Sequence, residues 1–218
     1  MVNIAHHEQE LKYRLTEAQH TSLLNADVFV SSQAWVDERL CSRYYDTTDY
    51  RLAATRIALR LRLQDGHTFF LTCKSGGTQH GALHQRKEEE IPIVLNSADI
   101  FWPDLANRLP WKKLESYPQI ALIKQEEPLV ELFVTDFTRR HTLLPWQGSM
   151  LDIAFDTGCI HAAACIYTIR ELEAELQSGF VEDLLAFDVV LRQSYDLQPE
   201  GLSKFQRGME LLGQSTKK

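Results

Sequence analysis

"EQELKYRL", residues 8–15, is the stretch on which the fold turns. Glu8, Glu10, Lys12 and Arg14 alternate with Gln9, Leu11, Tyr13 and Leu15. Successive side chains of a strand point to opposite faces, so a strand here carries both signs of charge on one face and a mostly apolar set on the other. The pattern recurs downstream. "RIALRLRLQ" (56–64) sets Ile57, Leu59, Leu61 and Leu63 against Ala58, Arg60, Arg62 and Gln64. Asp65-Gly66 predicts a tight turn, and "TFFLTCK" (68–74) sets Phe69, Leu71 and Cys73 against Phe70, Thr72 and Lys74. That hairpin brings Arg60, Arg62 and Lys74 onto one face.

Further strands follow by the same rule. "LHQRKEEEIPI" (83–93) carries His84, Arg86, Glu88 and Glu90 on one side. "VELFVTDFTRRHTLL" (130–144) includes Arg139, and "MLDIAFDTG" (150–158) opposes Asp152, Ala154 and Asp156 to Leu151, Ile153 and Phe155. "CIYTIRELEAEL" (165–176) aligns Glu171, Glu173 and Glu175. A short strand is expected at "SRYYDT" (42–47), a loop at "SGGTQHG" (75–81) and a turn at Thr157-Gly158. Helices are expected over 16–26, with Thr16 as N-cap, over 178–193, and after Pro199. Residues 98–116 read as short helical or irregular structure. About eight strands result, most joined by short turns. An open sheet could wet the charged face, whereas a closed barrel would turn it inward into a polar tunnel.

The 218 residues suit one globular domain. A net charge of -7 argues against non-specific binding of nucleic acid or anionic membrane. Cys41, Cys73, Cys159 and Cys165 form no C-x-x-C pair and read as reduced thiols. The first residues show no secretory signal and no apolar run is long enough for a membrane helix, so the cytoplasm is the expected location. His6-His7 reads as a flexible chain end, and Trp35, Trp102, Trp111 and Trp146 as packing residues.

From about residue 6 to 212 the chain resembles the triphosphate tunnel metalloenzymes, the CYTH superfamily, and most of all its bacterial inorganic triphosphatases. The resemblance rests on motifs in order: E-x-E-x-K as Glu8, Glu10 and Lys12; "LRLR" as Arg60 and Arg62; "TCK" as Lys74; "GALHQRKEEE" with Arg86, Glu88 and Glu90; "TDFTRR" as Arg139; "LDIAFDTG" with Asp152 and Asp156; "ELEAELQSG" with Glu171 and Glu173; and "LSKFQRG" with Ser203, Lys204 and Arg207. His141 stands where relatives tend to carry lysine, and Asp152 where they tend to carry glutamate. Residues 110–129 look like an insertion, and the helical CHAD domain often appended in this group is missing from the pattern.

The resemblance implies an α+β fold: an eight-stranded, mainly antiparallel closed barrel with flanking helices, in a single domain over residues 1–218. It implies hydrolysis of inorganic triphosphate to diphosphate and phosphate, with Mg²⁺ or Mn²⁺. Lys12, Arg60, Arg62, Lys74, Arg86, Arg139, Ser203 and Lys204 would grip phosphoryl oxygens, since arginine offers a planar fork and lysine a compact charge. Glu8, Glu10, Asp156, Glu171, Glu173, Asp152 and Glu88 would supply hard oxygen ligands for metal. Glu8, Glu10 and Lys12 form the expected catalytic group. Glu175, Arg14 and Arg140 are expected at solvated or wall positions, while Glu90 stays open between surface and tunnel. The rival readings are a class IV adenylate cyclase, a thiamine triphosphatase, or a non-catalytic sensor of polyphosphate or nucleotide. The expected partner is a small triphosphate, without nucleic acid or membrane, and a homodimer is conceivable.

Overall fold

In the computed structural model, residues 6–94, 102–109, 111–114, 123 and 128–215 are described. Eight long strands account for most of them: β1 (His6–Arg14), β2 (Val36–Thr47), β3 (Ile57–Gln64), β4 (Thr68–His80), β5 (Leu83–Ile93), β6 (Leu129–Trp146), β7 (Ser149–Ala162) and β8 (Cys165–Ser178). They run antiparallel in the order β5-β4-β3-β2-β6-β7-β8-β1. β1 pairs with β8 through Glu10–Arg14 and with β5 through His6–Leu11, so the sheet closes on itself. Closure removes the free edges that an open sheet would present. The helices are α1 (Glu17–Leu23), α2 (Arg51–Ala54), α3 (Trp111–Leu114), α4 (Val181–Tyr195) and α5 (Lys204–Ser215). Between the last two, the short strand β9 (Gln198–Pro199) pairs with Tyr13 and Arg14 of β1.

The barrel is turned inside out relative to an ordinary sheet protein. Its apolar rows face outward and are covered by helices. Leu11, Tyr13, Ile153, Phe155 and Leu172 pack with Leu23 of α1 and with Leu184, Phe187 and Leu191 of α4. The Tyr13 hydroxyl donates to Asp188 on α4, satisfying both groups within this layer. α1 is fixed by a capping box in which Gln19 N donates to Thr16 Oγ1 at 3.2 Å and Thr16 N to Gln19 Oε1 at 2.9 Å. On the other flank Leu59, Leu61, Leu71, Cys73 and Ile91 pack with Leu105, Leu109 and Leu114. Each buried aliphatic side chain contributes about 1.5–3 kcal/mol, so these layers hold the barrel wall against the cost of its charged interior.

A third cluster lies within one end of the barrel. Leu40, Tyr44, Phe133, Phe137, Ile160 and Ile169 meet Leu211, with Phe205 and Met209 of α5 beside them. Tyr44 stacks on Phe133 at 4.6 Å between ring centroids. A methyl group at Gly208 would overlap the Phe133 ring, so glycine lets α5 seat against that stack. Trp35 and Trp146 pack on the first cluster and Trp111 on the second, as expected of packing residues. The side chain of Trp102 and most of the apparent insertion at 110–129 lie outside the described residues.

Several boundaries differ from the sequence reading. "SGGTQHG" is not a loop: β4 continues to His80, and a bulge between Ser75 and Thr78 absorbs Gly76 and Gly77, both at positive φ. "SRYYDT" is the end of a strand that begins at Val36. His6 and His7 open β1 rather than trailing free. Pro199 belongs to β9, and the last helix starts at Lys204. Thr157-Gly158 does not turn the chain, since β7 runs on to Ala162. Gly158 is needed there for another reason: a Cβ would overlap the Asp136 carbonyl oxygen and the Phe137 Cα of the paired strand. Gly158→Ala should therefore destabilise the protein by about 2 kcal/mol or more, roughly 5 °C in Tm, readable by thermal denaturation. An unchanged Tm would show that β6 and β7 are not held this closely.

Candidate active site

The alternation that faces apolar rows outward faces the charges into the bore. Cross-strand register then decides which charges meet. Lys12 lies opposite Glu173, Arg139 opposite Asp156, and Lys74 opposite Glu88. Glu8 lies opposite Arg86. The cationic β3 and the acidic β8 are four strands apart in a ring of eight, so they form opposing walls.

Nearly every interior charge has a partner of opposite sign. Lys12 Nζ is 3.0 Å from Glu173 Oε1 and 3.3 Å from Glu10 Oε1. Lys74 Nζ donates to Glu8 Oε1 at 2.6 Å and lies 2.9 Å from Glu88 Oε2. Arg86 forks between the two acids of the E-x-E pair, reaching Glu8 Oε2 at 2.5 Å and Glu10 Oε1 at 2.7 Å. Arg139 is bidentate on Asp156 at 2.8 and 2.7 Å and also donates to Glu173. These are short charge-assisted bonds between groups withdrawn from water.

At the α5 end of the bore the carboxylates of Asp156, Glu171 and Glu173 converge, with ligand oxygens within 4.8 Å of one another. Lys204, the first residue of α5, puts its Nζ among them, at 2.7 Å from Asp156 and Glu171 and 2.8 Å from Glu173. The ring of Phe137 lies 5.1 Å from the same ammonium. Ser203 is the cap that aims this lysine. Its hydroxyl accepts from Gln206 N at 3.2 Å while its own N–H donates to Gln206 Oε1 at 2.9 Å. The acid cluster is thus shown to hold one cation by three carboxylates, which fits hard-oxygen coordination of a divalent ion.

Protonation follows the pairing. Burial opposes the charge on Lys12, but Glu10 and Glu173 outweigh it and raise its pKa above the ordinary value. Lys204 behaves likewise, held charged by Asp156, Glu171 and Glu173 against burial. Burial would raise Glu8, yet Lys74 and Arg86 hold it well below the usual range. Glu173 is held low against burial by Lys12, Lys204 and Arg139, whereas burial lifts the neighbouring Glu171.

The cationic wall is less well matched. Arg60 Nη2 is 3.5 Å from Glu88 and 3.6 Å from Glu90, and Arg62 Nη1 is 3.6 Å from Glu90. The buried Nε of both arginines has no hydrogen-bond partner among the described residues. Arg62 is lowered by burial and by Arg60 beside it.

The structure gathers Glu8, Glu10, Lys12, Arg60, Arg62 and Lys74 around one bore, together with Arg86, Arg139, Glu173, Ser203 and Lys204. Its side chains close the space to about 60 Å³. Asp156 and Glu171 join through the carboxylate cluster. Four expected ligands stand apart from that cluster: Glu8 and Glu10 are engaged by Arg86, Glu88 by Lys74, and Asp152 by His141 Nδ1 at 3.2 Å. Arg14 and Arg140 are exposed, as expected. Glu90 reaches inward to Thr72 Oγ1 at 2.7 Å. Glu175 overturns its expectation: it lines the bore instead of sitting in solvent. The signal was present, since Glu175 keeps the two-residue step of Glu171 and Glu173. Tyr44 also lines the bore, which strand parity alone did not single out within "SRYYDT".

A closed eight-stranded tunnel with a cationic wall, an acid cluster and a capping helix defines a charged-barrel protein. Residues 6–209 match the CYTH domain, and the chain belongs to that family. It is 34% identical over 174 residues to a Haemophilus influenzae protein named inorganic triphosphatase, covering 80% of this chain and 46% of that protein. The chain thus spans less than half the length of this curated relative. Among solved structures, a Hippeastrum adenylyl cyclase candidate reported to have a dominant triphosphatase activity superposes with TM-score 0.61 at 19% identity, covering 95% of this chain and 96% of that one. A Pyrococcus horikoshii protein gives 0.58 at 17% identity, covering 94% and 99%. At these identities the two structures speak to the fold. No helix among the described residues is long and apolar enough to cross a membrane.

Glu175 yields a pH test. Burial first, then Glu8 and Glu10, raise its pKa from 4.5 to about 8, against the lowering effect of Lys74. The folded state keeps this proton where the unfolded chain has released it, so its contribution to stability falls as pH climbs from the unfolded value to about 8. Glu175→Gln removes that loss. The Tm of the variant minus that of the parent should grow from pH 5 to 8 and level off above 9. A difference independent of pH would contradict the buried placement.

Proposed function

We propose that this chain hydrolyses inorganic triphosphate to diphosphate and orthophosphate inside the barrel, as a single catalytic module over residues 1–218. The observation that carries the reading is the pair of partnerless Nε donors on Arg60 and Arg62, buried on the wall across from the acid cluster. A buried unmet donor costs about 1–3 kcal/mol, and a phosphoryl oxygen is the acceptor that suits a guanidinium best. The name of the Haemophilus relative supports the same reaction.

Asp156, Glu171 and Glu173 would hold the divalent ion, with Glu8 and Glu10 next along the wall and Glu88 and Asp152 at its margins. Mg²⁺ or Mn²⁺ suits an all-carboxylate set. When bound, such an ion supplies Lewis-acid charge at the phosphoryl oxygens and makes water a better nucleophile.

The chain's own residues bind and orient. Arg60, Arg62, Lys74, Arg86 and Arg139 surround the phosphoryl chain, and Ser203 retains a hydroxyl proton to donate. Because cations and carboxylates already neutralise one another, substrate entry is an exchange: phosphoryl oxygens take over the donors of Arg139, Arg86 and Lys204. Lys12 stays an ammonium, so its role is to donate toward the terminal phosphate and spread its developing charge rather than to accept a proton. Water oxygen bonds to the terminal phosphorus, the bridging P–O bond breaks, and diphosphate leaves with the bridging oxygen; one water proton stays on the orthophosphate formed and the other passes to the leaving diphosphate oxygen.

A matrix of Mg²⁺, Mn²⁺ and chelator against tripolyphosphate, ATP and thiamine triphosphate tests the reading by phosphate release. Tripolyphosphate with metal should be the fastest pair. Lys12→Ala should lower kcat roughly 10²–10³-fold with Tm kept as a folding control, the scale of one lost electrostatic stabiliser. Absence of metal-dependent release from tripolyphosphate, or near-parental turnover in folded Lys12→Ala, would contradict the assignment.

A further inference from the structure

At the end of the barrel away from α5, four consecutive strands each contribute one polar residue: Gln64 of β3, Glu38 of β2, His141 of β6 and Asp152 of β7. They share the strand parity of Arg62, Tyr44, Arg139 and Asp156, yet none of them lines the bore itself. His141 lies four residues past Phe137, about 13 Å further along β6 than the cluster that α5 joins. One edge of its ring is satisfied: Nδ1 donates to the Asp152 carboxylate at 3.2 and 3.4 Å. The other edge is not. Nε2 stands 3.7 Å from Glu38 Oε1, too far for a hydrogen bond, and this buried nitrogen has no hydrogen-bond partner among the described residues. Gln64 Nε2 donates to the same Glu38 oxygen at 2.8 Å. The side chains of Glu38, His141 and Asp152 are each about a quarter exposed.

This mouth is short of positive charge. In the bore, Glu8, Glu10, Asp156 and Glu173 each meet a lysine or an arginine. Glu38 and Asp152 have only an imidazole between them, with no lysine or arginine within ion-pair distance among the described residues. Arg139, two residues before His141, spends its donors on Asp156 and Glu173. Glu175, opposite Asp152 on β8, brings no cation either. A lysine at position 141 would supply the missing charge itself. The imidazole supplies a lone pair instead: with Nδ1–H held by Asp152, that pair lies on Nε2, on the Glu38 side. A carboxylate that fixes one ring nitrogen so that the other can ligate is the usual support of a metal-binding histidine. Zinc takes imidazole nitrogen and carboxylate oxygen at about 2.0–2.2 Å, which sets two tetrahedral ligands roughly 3.3–3.6 Å apart. The 3.7 Å between Nε2 and Oε1 matches that span. A half-turn of the Gln64 amide puts its oxygen beside the same point as a third ligand, and water completes the set. Mg²⁺ prefers oxygen alone, so this mouth and the all-carboxylate cluster select different ions.

We infer that Glu38, His141 and Gln64, with Asp152 orienting the imidazole, form a second metal site at this mouth, for a divalent ion that accepts nitrogen ligands, Zn²⁺ above all. The site is separate from the carboxylate cluster of the bore and stands independently of the reaction proposed there. Its ion supplies the positive charge that Glu38 and Asp152 lack. It also ties β2 to β6 at the end of the barrel opposite the one α5 caps, so it acts as a clip on the barrel wall rather than as a partner of the phosphoryl groups.

The test is titration of Zn²⁺ into the full chain with excess Mg²⁺ present to fill the bore cluster. Nitrogen NMR of histidine-labelled protein identifies the ligand, because the cluster of Asp156, Glu171 and Glu173 contains no histidine. Calorimetry gives the affinity, and Tm in chelator shows that each variant is folded. In the parent chain, Zn²⁺ should shift the His141 Nε2 resonance and raise Tm. His141→Gln and Glu38→Gln, which keep the side-chain volumes, should each weaken the mouth's Zn²⁺ binding at least tenfold and lose the rise in Tm. Asp152→Asn, which leaves Nε2 in place but removes the charge that orients the ring, should weaken it roughly 10–100-fold. Should a variant fail to fold, the parent's His141 resonance still decides. A His141 resonance that Zn²⁺ does not move, as for an imidazolium bridging the two carboxylates, overturns the site. Zinc bound only at Asp156, Glu171 and Glu173, or equal affinity in all folded variants, overturns it as well.

Discussion

The Lys204 ammonium enclosed by Asp156, Glu171 and Glu173 is the interaction on which the rest of the structure depends. Three carboxylates cannot share a buried space without a cation, because removing such charge from water costs several kcal/mol per ion unless it is paired. Here the cation comes from the first residue of α5, so the helix that caps the barrel is also the one that neutralises its acid cluster. Ser203 and Gln206 fix the start of that helix, and Gly208 lets its next turn reach the Phe133–Tyr44 stack. Helix docking and charge balance are therefore coupled.

The same constraint explains why the apolar residues face outward. A bore filled with ion pairs contributes little net stability, since each pair's attraction is largely offset by desolvation. Stability has to come from the helix-covered outer layers, where α1 and α4 pack on β1, β7 and β8. The interior is then free to serve chemistry. Its pairs sit in a medium less polar than water, so on the proposed reading an incoming polyanion and a metal ion would exchange partners with wall groups already withdrawn from solvent. Arg60 and Arg62 break the balance: their loose contacts and partnerless Nε atoms leave the β3 wall short of acceptors.

How much could be read from the sequence depended on whether a residue's role was set by strand parity. Glu8, Glu10 and Lys12, the Arg60–Arg62 pair and Lys74 were legible because an alternating charge on an otherwise apolar strand has only one face to occupy. Glu175 obeyed the same parity and was still expected in solvent, since a third acid in a run resembles a surface charge series. Its burial comes from β1, where Glu10 lies directly opposite. Gly158 looked like a turn residue, yet its cause is the close approach of β6, a contact between segments about twenty residues apart. Gly76 and Gly77 read equally as a loop in sequence because a bulge and a loop use the same residue.

The most direct measurement is anomalous diffraction from crystals grown with Mn²⁺ and tripolyphosphate. The account predicts a manganese peak among Asp156, Glu171 and Glu173, the Lys204 ammonium moved from their centre toward phosphoryl oxygen, and the substrate along Arg60 and Arg62. Manganese and phosphate bound outside the barrel, with the three carboxylates still closed around Lys204, would contradict it.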